Sequence, residues 1–280
     1  MNYHLHENGW TVILDDINFC TATQDEINQI AKLLATNTCV VAKGQNLTVA
    51  DQLRVARMFK NPDPLFNPED ADFIHCAADL EQDPEGILCR VSGELNEHGK
   101  AGIAGYIDDM DWHCNEPYNI NRAPLVWLYG VRGTAGSRTT WNNNILSYDD
   151  LSQDEKNLLL PLEAVTKTGF NAIEQDQVIV EEHTPRIVHT NNAGKIGLFF
   201  SFLQIHRFKG MTREESKPIL DKYAAWTTQE KYLYHHDWQD GDVVIAEQWL
   251  GIHKRWKFEG IQNRVLHRAV FDFPDQDYND

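Results

Sequence analysis

The stretch Asp111-Trp112-His113-Cys114-Asn115-Glu116 places a histidine two residues before an amide side chain, with a carboxylate directly after it. Far downstream, His253 is followed by Arg264 and, four residues later, by Arg268. These residues follow one another in a fixed order along the chain. The order is a histidine, a nearby oxygen donor, a remote second histidine and then a pair of arginines. The rest of the chain is a scaffold that has to bring these two distant segments together.

These residue types point to a metal site. Two imidazoles and one carboxylate on one face of the ion are typical of non-haem Fe(II) sites, because they leave positions open for other ligands. His113 and His253 are the candidate imidazole ligands, each offering one ring nitrogen. The position at which this pattern has its carboxylate holds Asn115, whose side chain is neutral.

Three arrangements are open at this third ligand position. The amide oxygen of Asn115 can bind the metal, which gives a site with one negative charge fewer. Glu116 can replace the carboxylate, provided that a β-bulge turns this neighbouring residue toward the same face. Alternatively, the position is left to water or to a halide ion.

Composition and charge limit the possible functions. The chain has 280 residues and no internal repeat or linker, so we expect a single domain, 1–280. Its net charge of −17 disfavours nonspecific binding to nucleic acid or to an anionic membrane. The sequence contains neither a long apolar run nor an apolar leader, and cytoplasmic localisation is therefore expected. The five cysteines include no C-x-x-C pair, which argues against a disulfide framework.

Hydrophobic patterning predicts an α+β chain with a central β-barrel or sandwich. Capping boxes that begin at Thr23 and Thr48 predict two helices, with a buried strand between them at 39–42. Further helices are predicted at 152–162 and at 212–226, and the pattern includes one helical insertion. The other predicted strands are 10–14, 73–77, 86–91, 124–131, 178–180, 186–189, 196–202, 238–245 and 265–273. A Gly-rich connection at 92–105 is either a lid over the site or an ordinary hairpin loop.

In order and spacing, the motifs resemble the TauD/TfdA (taurine dioxygenase-like) family, over roughly residues 10–273. Any one of these motifs is weak evidence for the family, whereas the order and spacing of all of them together are specific to it. The marks are Val40-Val41-Ala42-Lys43-Gly44-Gln45, Asp111-Trp112-His113-x-Asn115, Gly136-Ser137-Arg138-Thr139, Trp238-x-x-Gly241-Asp242 before His253, and Arg264-x-x-x-Arg268. The resemblance implies a double-stranded β-helix (jelly roll, cupin-like) core with flanking helices and the helical insertion.

The resemblance also implies Fe(II) and 2-oxoglutarate as cofactors. Arg264 and the Thr139 hydroxyl would hold the far carboxylate of 2-oxoglutarate, since an arginine fork can donate two parallel hydrogen bonds to it. The neighbouring Thr140 is the alternative to Thr139. Arg268 would meet an anionic group on the substrate. The family reaction consumes O2, releases succinate and CO2, and hydroxylates an unactivated C–H bond of a small polar, amino-acid-like or anionic molecule.

Two other functions stay open. In related halogenases Gly or Ala replaces the carboxylate ligand, so the Asn115 position is also compatible with a halogenase-like or other atypical oxidation. A jelly-roll protein that has lost iron could instead bind anions at Arg264 and Arg268 without catalysis. The complete set of Thr139, Arg264 and His253 favours the enzyme. Relatives often form dimers or tetramers, so a homo-oligomer is compatible with the resemblance.

Overall fold

A seven-stranded and a four-stranded β-sheet provide the scaffold of the computed structural model, which describes residues 1–64, 76–96, 99, 101–105, 108–119, 121, 123–168, 177–259 and 263–278. In chain order, the elements are β1 (Tyr3–Leu5), β2 (Val12–Leu14), α1 (Gln24–Asn37), β3 (Cys39–Ala42), α2 (Val49–Met58), β4 (Cys89–Ser92), β5 (Met110–His113), β6 (Leu125–Arg132), β7 (Arg138–Asn142), α3 (Asn144–Asp149), α4 (Gln153–Leu159), β8 (Ala164–Lys167), β9 (Ile179–Val180), β10 (Val188–Thr190), β11 (Ile196–Leu198), β12 (Ile205–Phe208), α5 (Arg213–Thr227), β13 (Leu233–Asp237), β14 (Val243–Glu247), β15 (His253–Arg255) and β16 (Val265–Phe271).

The strand order of the larger sheet is β1-β2-β3-β14-β6-β16-β4, and that of the smaller sheet is β13-β7-β15-β5. All pairings within both sheets are antiparallel except the parallel pair β2/β3. The chain between β7 and β13 forms an insertion. It contains α3, α4 and α5, a three-stranded sheet in the order β12-β8-β9, and the hairpin β10-β11.

The larger sheet is buried on both faces, as its apolar central strand β6 illustrates. Leu125, Trp127 and Tyr129 of this strand pack in the cluster that contains the apolar faces of α1 and α2. Val126 and Leu128 point the opposite way, into a cluster shared with the smaller sheet. Because alternate side chains of a strand face opposite sides, the larger sheet has helices on one face and the smaller sheet on the other.

Sequence patterning predicted all four long helices. In α1, α2, α4 and α5 the capping side chain accepts a hydrogen bond from the third helical residue, whose carboxylate bonds back to the cap. The short helix α3 was not predicted, and it begins at Asn143, whose side chain caps it. No helix within the described ranges is long and apolar enough to cross a membrane.

Several predicted strands were wrong in their bounds because turns occupy part of each range. The strand predicted at 238–245 begins only at Val243, since Gly241 has a φ of 88° in the turn before it. The strand predicted at 86–91 begins at Cys89, after Gly86 in another turn. The strand predicted at 196–202 ends at Leu198. Most of the predicted strand 73–77 lies outside the described residues.

Candidate functional site

A cavity of about 1010 Å³, including its open mouth, lies between the two sheets. Apolar side chains of the larger sheet form one wall. The opposite wall carries residues of β5, β7 and β15 from the smaller sheet. Every site residue that the sequence predicted lines this one cavity: His113, Asn115, Thr139, His253, Arg264 and Arg268.

The two candidate imidazole ligands lie side by side. Strands β5 and β15 pair so that His113 is directly opposite His253, and the two ring centroids are 4.2 Å apart. Burial lowers the pKa of His113 to about 4 and that of His253 well below its usual value. Both rings are therefore neutral near pH 7, which is the form that binds metal ions.

The orientation of the His113 ring is fixed by the main chain. Its Nδ1 is 2.6 Å from the carbonyl oxygen of Asp111. Since a carbonyl can only accept, Nδ1 carries the proton and the lone pair lies on Nε2. A backbone acceptor of this kind is the usual partner of the second nitrogen of a metal-binding histidine.

The segment after β5 carries the third ligand position. Asn115 donates from its main-chain N and from Nδ2 to Gln248 Oε1, at 3.1 and 2.8 Å. The preceding Cys114 N–H donates to Gln204 Oε1 of the insertion, at 3.0 Å. Side chains of Gln204 and Gln248 therefore both hold the main chain of this segment in place.

Glu116 has left-handed backbone geometry, with a φ of 50°, and it also lines the cavity. However, within the part of the chain that the structure describes, no three His, Cys, Asp or Glu side chains are grouped to hold a metal ion. The Glu116 carboxylate therefore does not converge with His113 and His253 in this conformation.

Adjacent threonines of β7 point to opposite faces of the smaller sheet. Thr139 lines the cavity, and its Oγ1 accepts a hydrogen bond from Trp238 Nε1 at 2.9 Å. Thr140 Oγ1 instead bonds to Trp256 Nε1 and His235 Nδ1, each at 2.7 Å. Of the two alternatives, only Thr139 therefore presents its side chain to the cavity.

Among the buried guanidinium groups that line the cavity, those of Arg264 and Arg268 have no described carboxylate in salt-bridge contact. Arg264 Nε donates to Ser137 Oγ at 3.0 Å, and its guanidinium lies 4.8 Å from the centre of the Phe258 ring. Burial, with the charge of Arg255, lowers the pKa of Arg264 to about 9, so it stays cationic at neutral pH. The Nε of Arg268 has no hydrogen-bond acceptor in the same described set. Because burying an unpaired charge is costly, this arrangement favours a bound anion.

Arg255 is a cavity residue that the sequence motifs did not reveal. It lies two residues after His253 on β15, and it donates to the carbonyl oxygens of Ala104 and Asp108, both at 2.7 Å. Ala104 itself lines the cavity, so Arg255 holds the end of the Gly-rich connection against the site. The strand spacing of Arg255 from His253 was the available signal, since residues two apart share a face.

Arg138, one residue before Thr139, lies outside the cavity. Its side chain is 47% exposed and pairs with Asp237 of β13, with Nε 2.6 Å from Oδ1. Arg138 is therefore a solvent-exposed arginine with an ion-pair partner of its own.

Comparison with known proteins identifies the family. The model of the "Taurine catabolism dioxygenase TauD, TfdA family" matches residues 8–270, and the chain belongs to this family. Pentalenolactone F synthase of Streptomyces arenae is 24% identical over 69% of this chain and 71% of its own length. The alpha-ketoglutarate-dependent 2,4-dichlorophenoxyacetate dioxygenase of Burkholderia sp. (strain RASC) is 23% identical over 88% of this chain and 85% of its own.

Solved structures support the same fold. The crystal structure of AAD-2 in complex with Mn(II) and N-oxalylglycine superposes with a TM-score of 0.78 and 15% identity, covering 96% of both chains. The chain is thus a 2-oxoglutarate-dependent dioxygenase by family, with Fe(II) and 2-oxoglutarate as the family cofactors. The residues present fit both groups: two neutral imidazoles and an amide oxygen suit the metal, and the buried guanidinium groups suit a dicarboxylate.

Acid should destabilise the metal-free protein through its buried histidines. Burial lowers the pKa of His113 and of His267, each to about 4, and lowers that of His253 well below its usual value. Between about pH 6.5 and pH 4 the unfolded chain binds protons that the folded protein does not. The free energy of unfolding should therefore fall with pH by about 1.4 kcal/mol per pH unit for each histidine. Urea unfolding across this range measures the slope. His267→Leu should reduce it, and an unchanged slope in that variant would contradict the explanation.

Metal titration of two variants should identify the residue at the third position. Asn115→Ala removes the amide oxygen and should weaken Mn(II) binding by about 10-fold or more. Glu116→Gln keeps the size of its side chain and should change the affinity much less, because its carboxylate does not converge with the histidines. Isothermal titration of the metal-free proteins measures both constants. If Glu116→Gln weakens Mn(II) binding more than Asn115→Ala does, Glu116 is the ligand.

Proposed function

We propose that this chain is an Fe(II)- and 2-oxoglutarate-dependent hydroxylase whose substrate is a small molecule with an anionic group and an apolar body. One observation carries the proposal: the buried guanidinium groups of Arg264 and Arg268, which form no salt bridge with a described carboxylate, share a cavity with the paired His113 and His253. Two anion sites beside one metal site match a reaction that uses a dicarboxylate cosubstrate and an anionic substrate.

The proposed core is a double-stranded β-helix of the cupin-like, jelly-roll type. Two facing, almost entirely antiparallel sheets of seven and four strands support it, since such a core consists of two sheets that enclose a central cavity. Helices α1 and α2 flank the larger sheet, and the insertion between β7 and β13 corresponds to the expected helical insertion.

In this proposal His113, His253 and the Asn115 amide oxygen hold the metal. When bound, the iron and 2-oxoglutarate supply the oxidation, in which 2-oxoglutarate loses CO2 to become succinate and a substrate C–H bond is hydroxylated by O2. The protein contributes position and exclusion of water. The Asp111 carbonyl holds the His113 ring in one tautomer, so that the site is arranged before the metal arrives.

Arg264 is the proposed partner of the far carboxylate of 2-oxoglutarate. Its Nε is already held by Ser137, and the Phe258 ring supports its planar face, so the fork has one preferred direction. Thr139 presents a hydroxyl to the same cavity from β7. A guanidinium that is held in place before binding loses little side-chain entropy when the carboxylate arrives.

Arg268 is the proposed substrate anchor, and the cavity wall suggests what it anchors. Much of the lining is apolar, with Val91, Ile103, Met110, Val126, Leu128 and Leu266. A strongly polar, amino-acid-like substrate would leave these side chains without matching contacts. A hydrophobic carboxylate suits both the wall and Arg268, in keeping with a relative named for 2,4-dichlorophenoxyacetate.

The cosubstrate role of Arg264 is tested by Arg264→Met, which keeps the bulk and removes the charge. Lost charge-assisted hydrogen bonds of about 1.5–3 kcal/mol should raise the KM for 2-oxoglutarate by about 10- to 100-fold. Arg138→Met is the matched control, because Arg138 forms an exposed ion pair outside the cavity. Succinate release at varied 2-oxoglutarate measures the effect. Equal effects of both substitutions would refute the assignment.

The substrate role is tested by screening small hydrophobic carboxylates and their neutral amides for substrate-dependent succinate release. The wild-type protein should turn over acids in preference to amides, because a neutral amide leaves Arg268 buried and unpaired. Arg268→Met should lower kcat/KM for the acids and shrink this preference. If the Arg268→Met variant keeps the same preference for acids over amides, Arg268 is not the substrate anchor. Absence of succinate with every compound, despite bound metal, would count against the hydrophobic-carboxylate class.

A further inference from the structure

Gln248, which follows the last residue of β14, lies directly against the third ligand position. Its side chain is buried and bonds to the two segments on either side of it. Oε1 accepts from both the N and the Nδ2 of Asn115, while Nε2 donates to the carbonyl oxygen of Ala123 at 2.8 Å. The main-chain N–H of Gln248 donates to Pro124 O at 2.9 Å, which anchors this residue beside the Ala123 segment.

Main-chain groups fix the direction of this amide. The N–H of Asn115 can only donate, and the carbonyl of Ala123 can only accept. Turning the Gln248 amide around would set donor against donor at Asn115 and acceptor against acceptor at Ala123. Gln248 therefore presents an oxygen to residue 115, and that oxygen requires a donor from the side chain it meets.

Asn115 meets this requirement with its NH2 group. Because Nδ2 is committed to Gln248, the atom left for the cavity is Oδ1. No described residue donates a hydrogen bond to this oxygen. An amide nitrogen carries no lone pair suited to a metal ion, whereas an amide oxygen does.

We propose that Gln248 is a positioning residue that turns the oxygen of Asn115 toward the metal, so that this protein is built for a neutral amide ligand. The inference rests on the proposed function, since it assumes that His113 and His253 hold a metal ion. It also explains why a carboxylate is absent from this position. In an Asn115→Asp variant a carboxylate oxygen would replace Nδ2, which lies 2.8 Å from Gln248 Oε1, and two acceptors would then face each other.

The experiment measures two properties of each variant: the melting temperature of the metal-free protein and its dissociation constant for Mn(II). Gln248→Met removes both hydrogen-bonding functions at nearly constant length. Gln248→Glu keeps an acceptor for Asn115 but loses the donor to Ala123. Gln52→Met is the matched control, because Gln52 is equally buried but bonds to Thr48 and His267 outside the site.

If Gln248 has a positioning role, the melting temperature and the Mn(II) affinity should respond differently to the substitutions. All three variants should lower the melting temperature, by about 2–8 °C, since each leaves buried polar groups unpaired. Only Gln248→Met should also weaken Mn(II) binding, by about 10-fold or more, because Asn115 is then free to turn its nitrogen toward the metal. Gln248→Glu should retain the affinity. If Mn(II) affinity is unchanged in Gln248→Met, or falls equally in Gln52→Met, the inference is overturned while the proposed function stands.

A double-mutant cycle with Asn115→Asp tests the pairing itself. In the wild-type background Asn115→Asp should lower the melting temperature of the metal-free protein, because the new carboxylate faces Gln248 Oε1. In the Gln248→Met background the same change should cost clearly less. Additive effects would overturn the pairing. If the wild-type protein binds no Mn(II) at all, the proposed function fails along with the inference, whereas the cycle still reports on the Asn115–Gln248 contact.

Discussion

The register between β5 and β15 is the constraint on which the whole site depends. It sets His113 opposite His253, and the neighbouring pairing of β15 with β7 sets His253 opposite Trp141 and Arg255 opposite Thr139. A slip of one residue would turn every one of these side chains to the other face of the sheet.

The charges in the cavity follow from the burial of two histidines and two arginines. The histidines are neutral because burial disfavours their charged form, whereas the arginines keep their charge because their unperturbed pKa is so high. A chain with a net charge of −17 thus encloses a cationic interior at Arg264 and Arg268. An anion that enters the cavity approaches a protein of negative net charge. Its binding therefore depends on the hydrogen-bond donors inside the cavity, such as Arg264 and Arg268.

The sequence predicted the parts of this structure that local patterns determine. Capping boxes predicted α1 and α2, helical spacing predicted α4 and α5, and apolar β6 was found as a buried strand. The residues chosen from motif spacing all line one cavity. The short strands β7, β13 and β15 were missed because their polar side chains lack apolar alternation, and only pairing with neighbours makes them strands. Gln248 was missed for a related reason. Its partner Asn115 is 133 residues away, and no sequence pattern records a hydrogen bond over that separation.

The contact between Cys114 and Gln204 has a consequence for how this enzyme could diversify. Gln204 belongs to the insertion, yet it holds the main chain one residue before Asn115, and Phe199 of the same insertion packs against Cys114 and Ile252. The insertion is therefore not an interchangeable module. Transplanting the corresponding region of another protein would disturb the segment that carries Asn115 as well as the cavity wall, to which Thr168 and Gln204 of the insertion contribute.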